Sequence, residues 1–101
     1  MPSAQYRFDW DPLKAKENLR KHRVSFEQAA TVFRDPLALS IFDEEHSGDE
    51  ERWLTLGRTE RERILVVIHT FRPRRDQGAS VRIISARPAT RREQKDYTGQ
   101  P

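Results

Sequence analysis

The chain has 101 residues, of which 35% are hydrophobic and 35% charged, and it contains no cysteine. This length suits one domain, so we expect a single domain over residues 1–101. The lack of cysteine excludes a disulfide framework, a thiolate nucleophile and a zinc–thiolate site. No signal peptide and no apolar run long enough to cross a membrane is apparent, which favours a cytoplasmic protein without membrane contact.

The charge is distributed unevenly along the chain. The formal net charge is +3, but residues 31–62 carry four Lys or Arg against nine Asp or Glu, while residues 63–101 carry nine against three. Nearly all of the basic excess is arginine, which keeps its charge and holds phosphate with two parallel donors. A basic, arginine-rich segment suggests a polyanion such as nucleic acid, and solubility alone is the alternative.

The N-terminal part predicts a short strand and a first helix. Alternating apolar and polar residues at 6–10 favour the strand. Asp11 followed by Pro12 is typical of a helix start, because the aspartate caps the helix and proline suits its first position. The helix is predicted to run to about His22.

A second helix is predicted to begin at Ser25, which makes a capping-box pattern with Gln28. Apolar residues follow at helical spacing, and Asp35 before Pro36 ends the helix. Beyond this point the hydrophobic period changes to that of strands, which are predicted at 37–42, 52–58, 63–71 and 80–86. An acidic loop at 43–51, a turn at 59–62 and a basic loop at 72–79 connect these strands.

The last strand leads into a third helix. Pro88 limits the strand, and Thr90 with Glu93 makes another capping box, which opens a helix to about Tyr97. The clustered strands and short turns predict an α+β fold. In this fold a short first strand and two N-terminal helices precede a four-stranded antiparallel meander and a C-terminal helix. The two N-terminal helices are expected to pack on one face of the sheet.

Residues of the first helix fall into two stripes at helical spacing. One stripe is basic and the other apolar, with Lys14, Asn18 and Lys21 in the first and Ala15, Leu19 and His22 in the second. Lysines on a helix most often just face water, and a lone histidine at a helix end is more often structural than catalytic.

Arginines accompany apolar residues in the predicted sheet. Strict alternation places Arg82, Ile84 and Ala86 on one face of the last strand. An arginine there needs a partner, which is either Glu50 or Glu51 of the acidic loop or a bound phosphate. The same choice applies to Arg52 and Arg58 at the two ends of the third strand. Arg87 and Arg91 lie near the start of the last helix, whose free amides already favour an anion, so these guanidiniums would deepen a phosphate site there.

These residue types suit cleavage of RNA by its own 2′-hydroxyl. Such an enzyme removes a proton from the hydroxyl, gives one to the leaving 5′-oxygen and neutralises the phosphate between them. That chemistry needs no metal or cofactor. The histidines lack metal-ligand spacing on a helix, and the isolated glycines form no phosphate-binding loop. His46 is expected in solvent, and His69, Tyr97 and Glu93 are expected to be structural.

Three segments together resemble the BrnT family of bacterial toxins. They are "FDWDPLKAKENLRKHRVSFEQAATVFRDP", "DEERWLTLGR" and "VRIISARPATRREQKDY". The resemblance implies a RelE-like fold and a metal-independent ribonuclease toxin of a type II toxin–antitoxin pair, which stops translation and growth. It also implies a BrnA-like antitoxin that neutralises the toxin and forms a dimeric assembly with it on operator DNA.

The resemblance further implies a set of functional residues. Arg82 and Arg87 would hold the scissile phosphate, Lys21 or His22 would transfer a proton, and Glu51 would orient groups or act as base. The residues implied to bind flanking RNA are Lys14, Arg52, Arg58 and Arg91. Convergence of the amines and guanidiniums on one pocket is the premise of this assignment.

One position departs from the family pattern. Arg23 stands where such sequences often have glycine, because that position closes the helix in a left-handed conformation. Two other functions stay open at the level of sequence. One is a non-catalytic nucleic-acid-binding module, and the other is an interaction protein whose arginines serve an acidic partner, or whose acidic loop pairs with its own basic C-terminal third.

Overall fold

A computed structural model of the protein describes residues 5–48 and 50–99. Within these ranges the fold is a mixed α+β arrangement of three α-helices and a six-stranded sheet. The helices are α1 (Pro12–His22), α2 (Phe26–Ala30) and α3 (Arg91–Thr98). The strands are β1 (Tyr6–Asp9), β2 (Leu39–Phe42), β3 (Arg52–Arg58), β4 (Ile64–Thr70), β5 (Arg72–Pro73) and β6 (Ala79–Pro88).

Helix α1 begins and ends as its sequence predicts. The Asp11 side chain accepts a hydrogen bond from the Leu13 amide at 2.9 Å, and Pro12 occupies the first turn. At the other end Arg23 adopts the left-handed conformation, with φ 59° and ψ 34°, and its amide donates to the Leu19 carbonyl. The helix therefore closes at Arg23 in a geometry that favours glycine.

The second predicted helix is divided between two helical forms. Ser25 caps it by accepting from the Gln28 amide at 3.0 Å, as expected. The α-helix ends at Ala30, and a 3₁₀ turn, Thr31–Arg34, continues it. The Thr31 hydroxyl donates to the Gln28 carbonyl at 2.7 Å. Such a side-chain bond competes with the α-helical pattern at the end of a short helix.

The meander is formed as predicted, but the complete sheet is mixed. Strands β2, β3, β4 and β6 pair antiparallel in succession. Strand β1 adds to β6 in parallel, which gives the order β1-β6-β4-β3-β2, and β5 pairs with β6 beyond the end of β4. The first strand thus joins the far end of the chain rather than its neighbours in sequence.

The main core lies on the face of the sheet that α1 and α2 cover, here called the helix face. Its buried members are Val24, Phe26, Ala29, Val32, Leu65, Val67, Val81, Ile83 and Ala86. Aromatic rings pack around them, including Tyr6, Phe8, Trp10, Phe33 and Phe71. The N-terminal helices therefore pack on one face, as expected from the sequence.

Asn18 anchors α1 to the sheet. Its amide group donates to the carbonyls of Val24 and Ala86, at 2.9 and 2.8 Å, and its oxygen accepts from the Ala86 amide at 3.1 Å. Asn18 is only 6% exposed, whereas Leu19 is 49% exposed. In the predicted apolar stripe Ala15 packs against the core, but the prediction is wrong for Leu19, because the unpaired backbone of β6 requires a polar partner at the centre of α1.

A smaller apolar cluster lies on the opposite face, beneath α3. It contains Leu56, Val66 and Ala89, with Leu54, Ile64 and Tyr97 packed against it. The predicted capping box of α3 is present, with hydrogen bonds in both directions between Thr90 and Glu93. No helix in the described ranges is both long and apolar enough to cross a bilayer.

Candidate active site

A β-bulge in the last strand decides which way its arginines point. Ser85 lies opposite Ile68 and Ile83 lies opposite His69, so Ile84 has no partner on β4. The extra residue shifts the alternation of side chains by one position. The predicted grouping of Arg82 with Ala86 is therefore wrong, because Ala86 is buried on the helix face.

Because of this bulge, Arg82 and Arg87 lie on the same face although they are an odd number of positions apart. Arg87 lies opposite Val66, a member of the cluster beneath α3. Arg82 neighbours Ile83, which is buried on the helix face, so it points the other way. We call this second face of the sheet the arginine face.

Two further arginines of β3 share the arginine face. Arg52 lies opposite Thr70, and Arg58 lies opposite Ile64. Arg52 with Arg82, and Arg58 with Arg87, therefore flank β4 at opposite ends of the face. Strand geometry separates Arg52 and Arg58 by about 20 Å along β3 and places β3 about 10 Å from β6. Half-buried Leu54, Ile68 and Ser85 form the floor between these ends.

Arg87 is held by Glu93 of α3. Its two terminal nitrogens donate to the two carboxylate oxygens at 2.8 and 2.9 Å. These hydrogen bonds lower the pKa of Glu93 to about 2 and raise that of Arg87, although partial burial opposes both shifts. Glu93 is therefore ionised at neutral pH and is a poor proton acceptor.

Arg82 is paired with Asp9 of β1. Its Nη1 lies 2.9 Å from the Asp9 carboxylate, and the two side chains are 47% and 68% exposed. The predicted partners Glu50 and Glu51 are not the ones used. Exposed ion pairs contribute little to stability, so a phosphate can replace Asp9 as the partner of Arg82 at small cost.

Arg58 lies in a cluster with Tyr97 and Asp35. Its guanidinium carbon is 5.6 Å from the centre of the Tyr97 ring, and the Tyr97 hydroxyl donates to Asp35 at 2.6 Å. Burial and the bond to Asp35 raise the pKa of Tyr97. Burial opposes the ionisation of Asp35, but hydrogen bonds from Tyr97 and the Arg58 amide keep its pKa below the ordinary value. Tyr97 therefore keeps its proton and has a structural role, as expected.

The candidate residues of α1 lie on the helix that contacts the part of β6 beyond Arg82, where β1 no longer pairs with β6 and Asn18 bonds Ala86. Lys14 and Lys21 are four and three positions from Asn18, so they lie on the same side of α1, next to Asn18. Both lysines are exposed, while His22 is half-buried. Helix α1 packs on the helix face, whereas the guanidiniums of Arg82 and Arg87 project from the arginine face. The structure therefore does not place these amines and guanidiniums on the same face of the sheet, and their convergence in one pocket stays a prediction.

Glu51 does not accompany the arginines. Its carboxylate accepts from Trp53 Nε1 at 3.3 Å. Trp53 lies opposite His69, which is buried on the helix face, so Glu51 and Arg52 point to opposite sides of the sheet. The prediction that Glu51 acts beside Arg82 and Arg87 is not supported by this geometry. Alternation along β3 separates the two neighbours.

The remaining predicted residues are Arg91 and two histidines, His46 and His69. Arg91 is exposed in the first turn of α3. His46 is exposed and lies 2.9 Å from Asp43, and His69 is buried with both ring nitrogens bonded, to Thr55 and to the Thr70 carbonyl. Within residues 5–48 and 50–99, no three His, Asp or Glu side chains are grouped as a metal site would require.

Sequence reasoning missed Asp9 and Asp35 as partners of the site. Asp9 contacts Arg82 across 73 positions, and Asp35 contacts Tyr97 across 62. Each aspartate has a local signal, since Asp9 ends a strand and Asp35 precedes a proline. Neither signal identifies so distant a partner.

One family model matches this chain. Its description reads "Ribonuclease toxin, BrnT, of type II toxin-antitoxin system", and it matches residues 10–93. The matched range contains Arg52, Arg58, Arg82 and Arg87 together with Lys14, Lys21 and His22. A search of the curated proteins gave no match.

Proposed function

The chain belongs to the BrnT family of ribonuclease toxins of type II toxin–antitoxin systems, and we propose that it is a metal-independent endoribonuclease. In this proposal it cleaves cellular RNA, inhibits translation and is neutralised by a BrnA-like antitoxin. The complex would be a dimeric assembly that binds operator DNA through the antitoxin. A RelE-like fold, a single domain and action in the cytoplasm belong to the same proposal.

The observation that carries the proposal is the arrangement of arginines on one open face of the sheet. Arg82 and Arg87 border a floor of Leu54, Ile68 and Ser85. Guanidiniums at the edges of an apolar floor suit a single strand of RNA, whose phosphates need cations and whose bases favour contact with apolar surface.

The proposed reaction needs only groups of the RNA and of the protein. The 2′-oxygen loses its proton and attacks the adjacent phosphorus, and the bond from phosphorus to the 5′-oxygen breaks. The leaving oxygen takes a proton, which gives a 2′,3′-cyclic phosphate and a free 5′-hydroxyl. Arg82 and Arg87 would neutralise the charge that develops on the phosphate oxygens.

Proton transfer is assigned to α1 in this proposal. Glu93 is ionised with a pKa of about 2, and the Tyr97 hydroxyl keeps its proton in a hydrogen bond to Asp35, so neither suits the task. Lys21 and His22 remain candidates, with RNA crossing the part of β6 that β1 does not pair with, between these residues and Arg87. Lys14, Arg52, Arg58 and Arg91 would bind flanking phosphates. Glu51 is left out because its carboxylate lies on the helix face.

The decisive experiment is cleavage of a labelled RNA by the purified protein in the presence of EDTA. We expect wild-type protein to give products with cyclic phosphate ends. Arg82→Ala and Arg87→Ala should each slow cleavage about a hundredfold, as loss of one charge-stabilising donor does in other enzymes. Arg87→Lys should stay slow, because lysine keeps the charge but cannot make the two parallel hydrogen bonds by which Glu93 fixes the group.

Arg20→Ala is the matched control, since Arg20 is exposed on α1 and pairs with Glu17 outside the arginine face. It should cleave at the wild-type rate. RNA that remains intact with wild-type protein would contradict the proposed activity. Binding that is sensitive to salt but produces no cleavage would favour the non-catalytic nucleic-acid-binding alternative instead.

A cellular experiment tests the toxin–antitoxin part of the proposal. Expression of the chain alone should arrest growth and protein synthesis, and co-expression of the neighbouring gene product should restore both. The arginine variants should lose toxicity in proportion to their loss of RNA cleavage. If Arg82→Ala and Arg87→Ala still arrested growth as strongly as wild type does, toxicity would not depend on RNA cleavage. That result would contradict the proposal.

A further inference from the structure

The edge of the sheet at β2 exposes apolar side chains on both faces. Ile41 is 62% exposed, Leu39 is 44% and Phe42 is 41%. Leu39 and Ile41 share the arginine face, whereas Phe42 lies opposite Trp53 on the helix face. In the part of the chain that the structure describes, β2 ends the sheet and pairs with β3 alone.

The backbone of β2 is also open to a partner. The Asp43 amide donates to the Arg52 carbonyl at 2.8 Å. In an antiparallel pair, inward and outward hydrogen-bonding positions alternate, so the backbone groups of Ser40 and Phe42 point away from β3. Sheets usually protect such an edge with lysine, proline or a covering segment, and β2 contains neither lysine nor proline.

A cavity beside this strand can hold one apolar side chain. It has a volume of about 210 Å³ and is lined by Tyr6, Phe33, Ser40, Trp53, His69 and Phe71. Ser40 belongs to β2, so the cavity adjoins the strand on the helix face. A strand added at β2 directs alternate side chains to the two faces, and one of them can enter the cavity as an anchor.

The acidic loop that follows β2 favours a positively charged partner. The acidic loop follows Phe42 directly, and only Asp43 among its described carboxylates contacts a basic side chain, that of His46 at 2.9 Å. In the described residues, Glu44, Glu45 and Glu50 lie near no Lys or Arg, and the ion pairs involve other groups. Among its described residues the loop therefore forms no ion pair with the basic C-terminal third, and its charge repels RNA while attracting a cationic segment.

We propose that β2, the adjoining cavity and the acidic loop form the docking surface for the antitoxin. The antitoxin adds an extended apolar segment, flanked by Lys or Arg, to the open edge of β2. This inference rests on the proposed function for the existence of the antitoxin. Since β2 borders β3, which carries Arg52 and Arg58, the docked segment lies next to the RNA site and can block it.

The first test compares two lysine substitutions at exposed apolar positions. Ile41→Lys should weaken binding of the neighbouring-gene antitoxin at least a hundredfold in calorimetry. The lysine places a charge without a partner where the antitoxin strand contacts β2. Leu13→Lys changes a residue that is 74% exposed on α1 and should leave antitoxin affinity unchanged. Ile41→Lys should still cleave RNA at the wild-type rate.

The second test addresses charge and does not depend on the strand variant folding. Glu45→Lys should weaken antitoxin binding about tenfold at low salt and less at high salt, because exposed charges are screened. Glu27→Lys, at an exposed position of α2, is the charge-matched control and should bind as wild type does.

Several outcomes would overturn the inference. The inference would be wrong if Ile41→Lys and Glu45→Lys both bound the antitoxin as tightly as wild type does. It would also be wrong if wild-type protein bound no antitoxin. Light scattering that shows a dimer of the toxin alone, converted to monomer by Ile41→Lys, would assign the edge to a second copy. Absence of RNA cleavage by wild-type protein contradicts the proposed function instead, and affinity measurements distinguish the two failures.

Discussion

Arg87 and Glu93 form a two-pronged ion pair that joins β6 to α3, with nitrogen–oxygen distances of 2.8 and 2.9 Å. Glu93 also accepts from the Thr90 amide at 2.8 Å, so one carboxylate serves both the capping box and the pair. The pair fixes the guanidinium that we assign to the scissile phosphate. It therefore links the stability of α3 to the geometry of the proposed site.

Replacing Glu93 by glutamine should destabilise the protein in a pH-dependent way. We expect Glu93→Gln to lower the free energy of unfolding by about 1 kcal/mol at pH 7, a modest value because the side chain is partly solvated. The folded-state pKa of about 2 lies below the ordinary glutamate value of 4.5. The contribution is therefore complete above pH 4.5 and is lost as pH falls toward 2.

Urea denaturation of both proteins between pH 3 and 7 measures this difference. Glu44→Gln, in the acidic loop, is the matched control and should change stability little at any pH. A stability difference between wild type and Glu93→Gln that stays constant over the whole range would contradict the assignment of the low pKa to Glu93.

Asn18 should contribute more to stability than any apolar residue of the same size could. Asn18→Leu leaves the Ala86 amide and carbonyl and the Val24 carbonyl without their partner, so we expect a loss of about 3 kcal/mol in the free energy of unfolding. Leu19→Asn makes the reverse change at the neighbouring exposed position and should cost less than about 1 kcal/mol. Thermal and urea unfolding test both, and equal costs would refute this role of Asn18.

Arg23 is expected to be a site where glycine improves the protein. Its φ of 59° is costly for a residue with a Cβ atom. Arg23→Gly should raise the free energy of unfolding by about 1 kcal/mol, after allowance for the larger entropy of the unfolded glycine chain. Arg20→Gly, inside α1, should instead lower it by about 1 kcal/mol. The Arg63 contact to the Arg23 carbonyl is kept in the glycine variant, since it involves the backbone.

Gly57 and Gly48 should respond differently to the same substitution. A Cβ atom at Gly57 would lie 2.7 Å from Val32 Cγ1 and 3.1 Å from the Ala38 Cβ, whereas Gly48 has no neighbour within 4 Å among the atoms described. Gly57→Ala should cost about 1–3 kcal/mol in unfolding free energy, because Val32 is buried and cannot move away freely. Gly48→Ala should be nearly neutral. Similar melting temperatures for the two variants would contradict the close packing at Gly57.

The sequence by itself determined the features that depend on neighbouring residues. The Asp11 cap, the Thr90–Glu93 capping box and the left-handed closure at Arg23 all follow from local hydrogen bonding and backbone sterics. The antiparallel meander follows from clustered strands with short connections. The arginine content and the family motifs also indicate the class of chemistry.

Only the tertiary structure decided which of the candidate residues share a surface. The bulge at Ile84 turned Arg82 and Arg87 to one face, and β1 brought Asp9 to Arg82 across 73 positions. Alternation along β3 separated Glu51 from Arg52, and the need to satisfy the backbone of Ala86 turned Asn18 inward instead of Leu19. A single inserted residue in a strand reverses the face to which each later side chain points. Pairings between residues far apart in the chain leave no signal in the local sequence. Side-chain direction in this sheet is therefore a property of the folded chain.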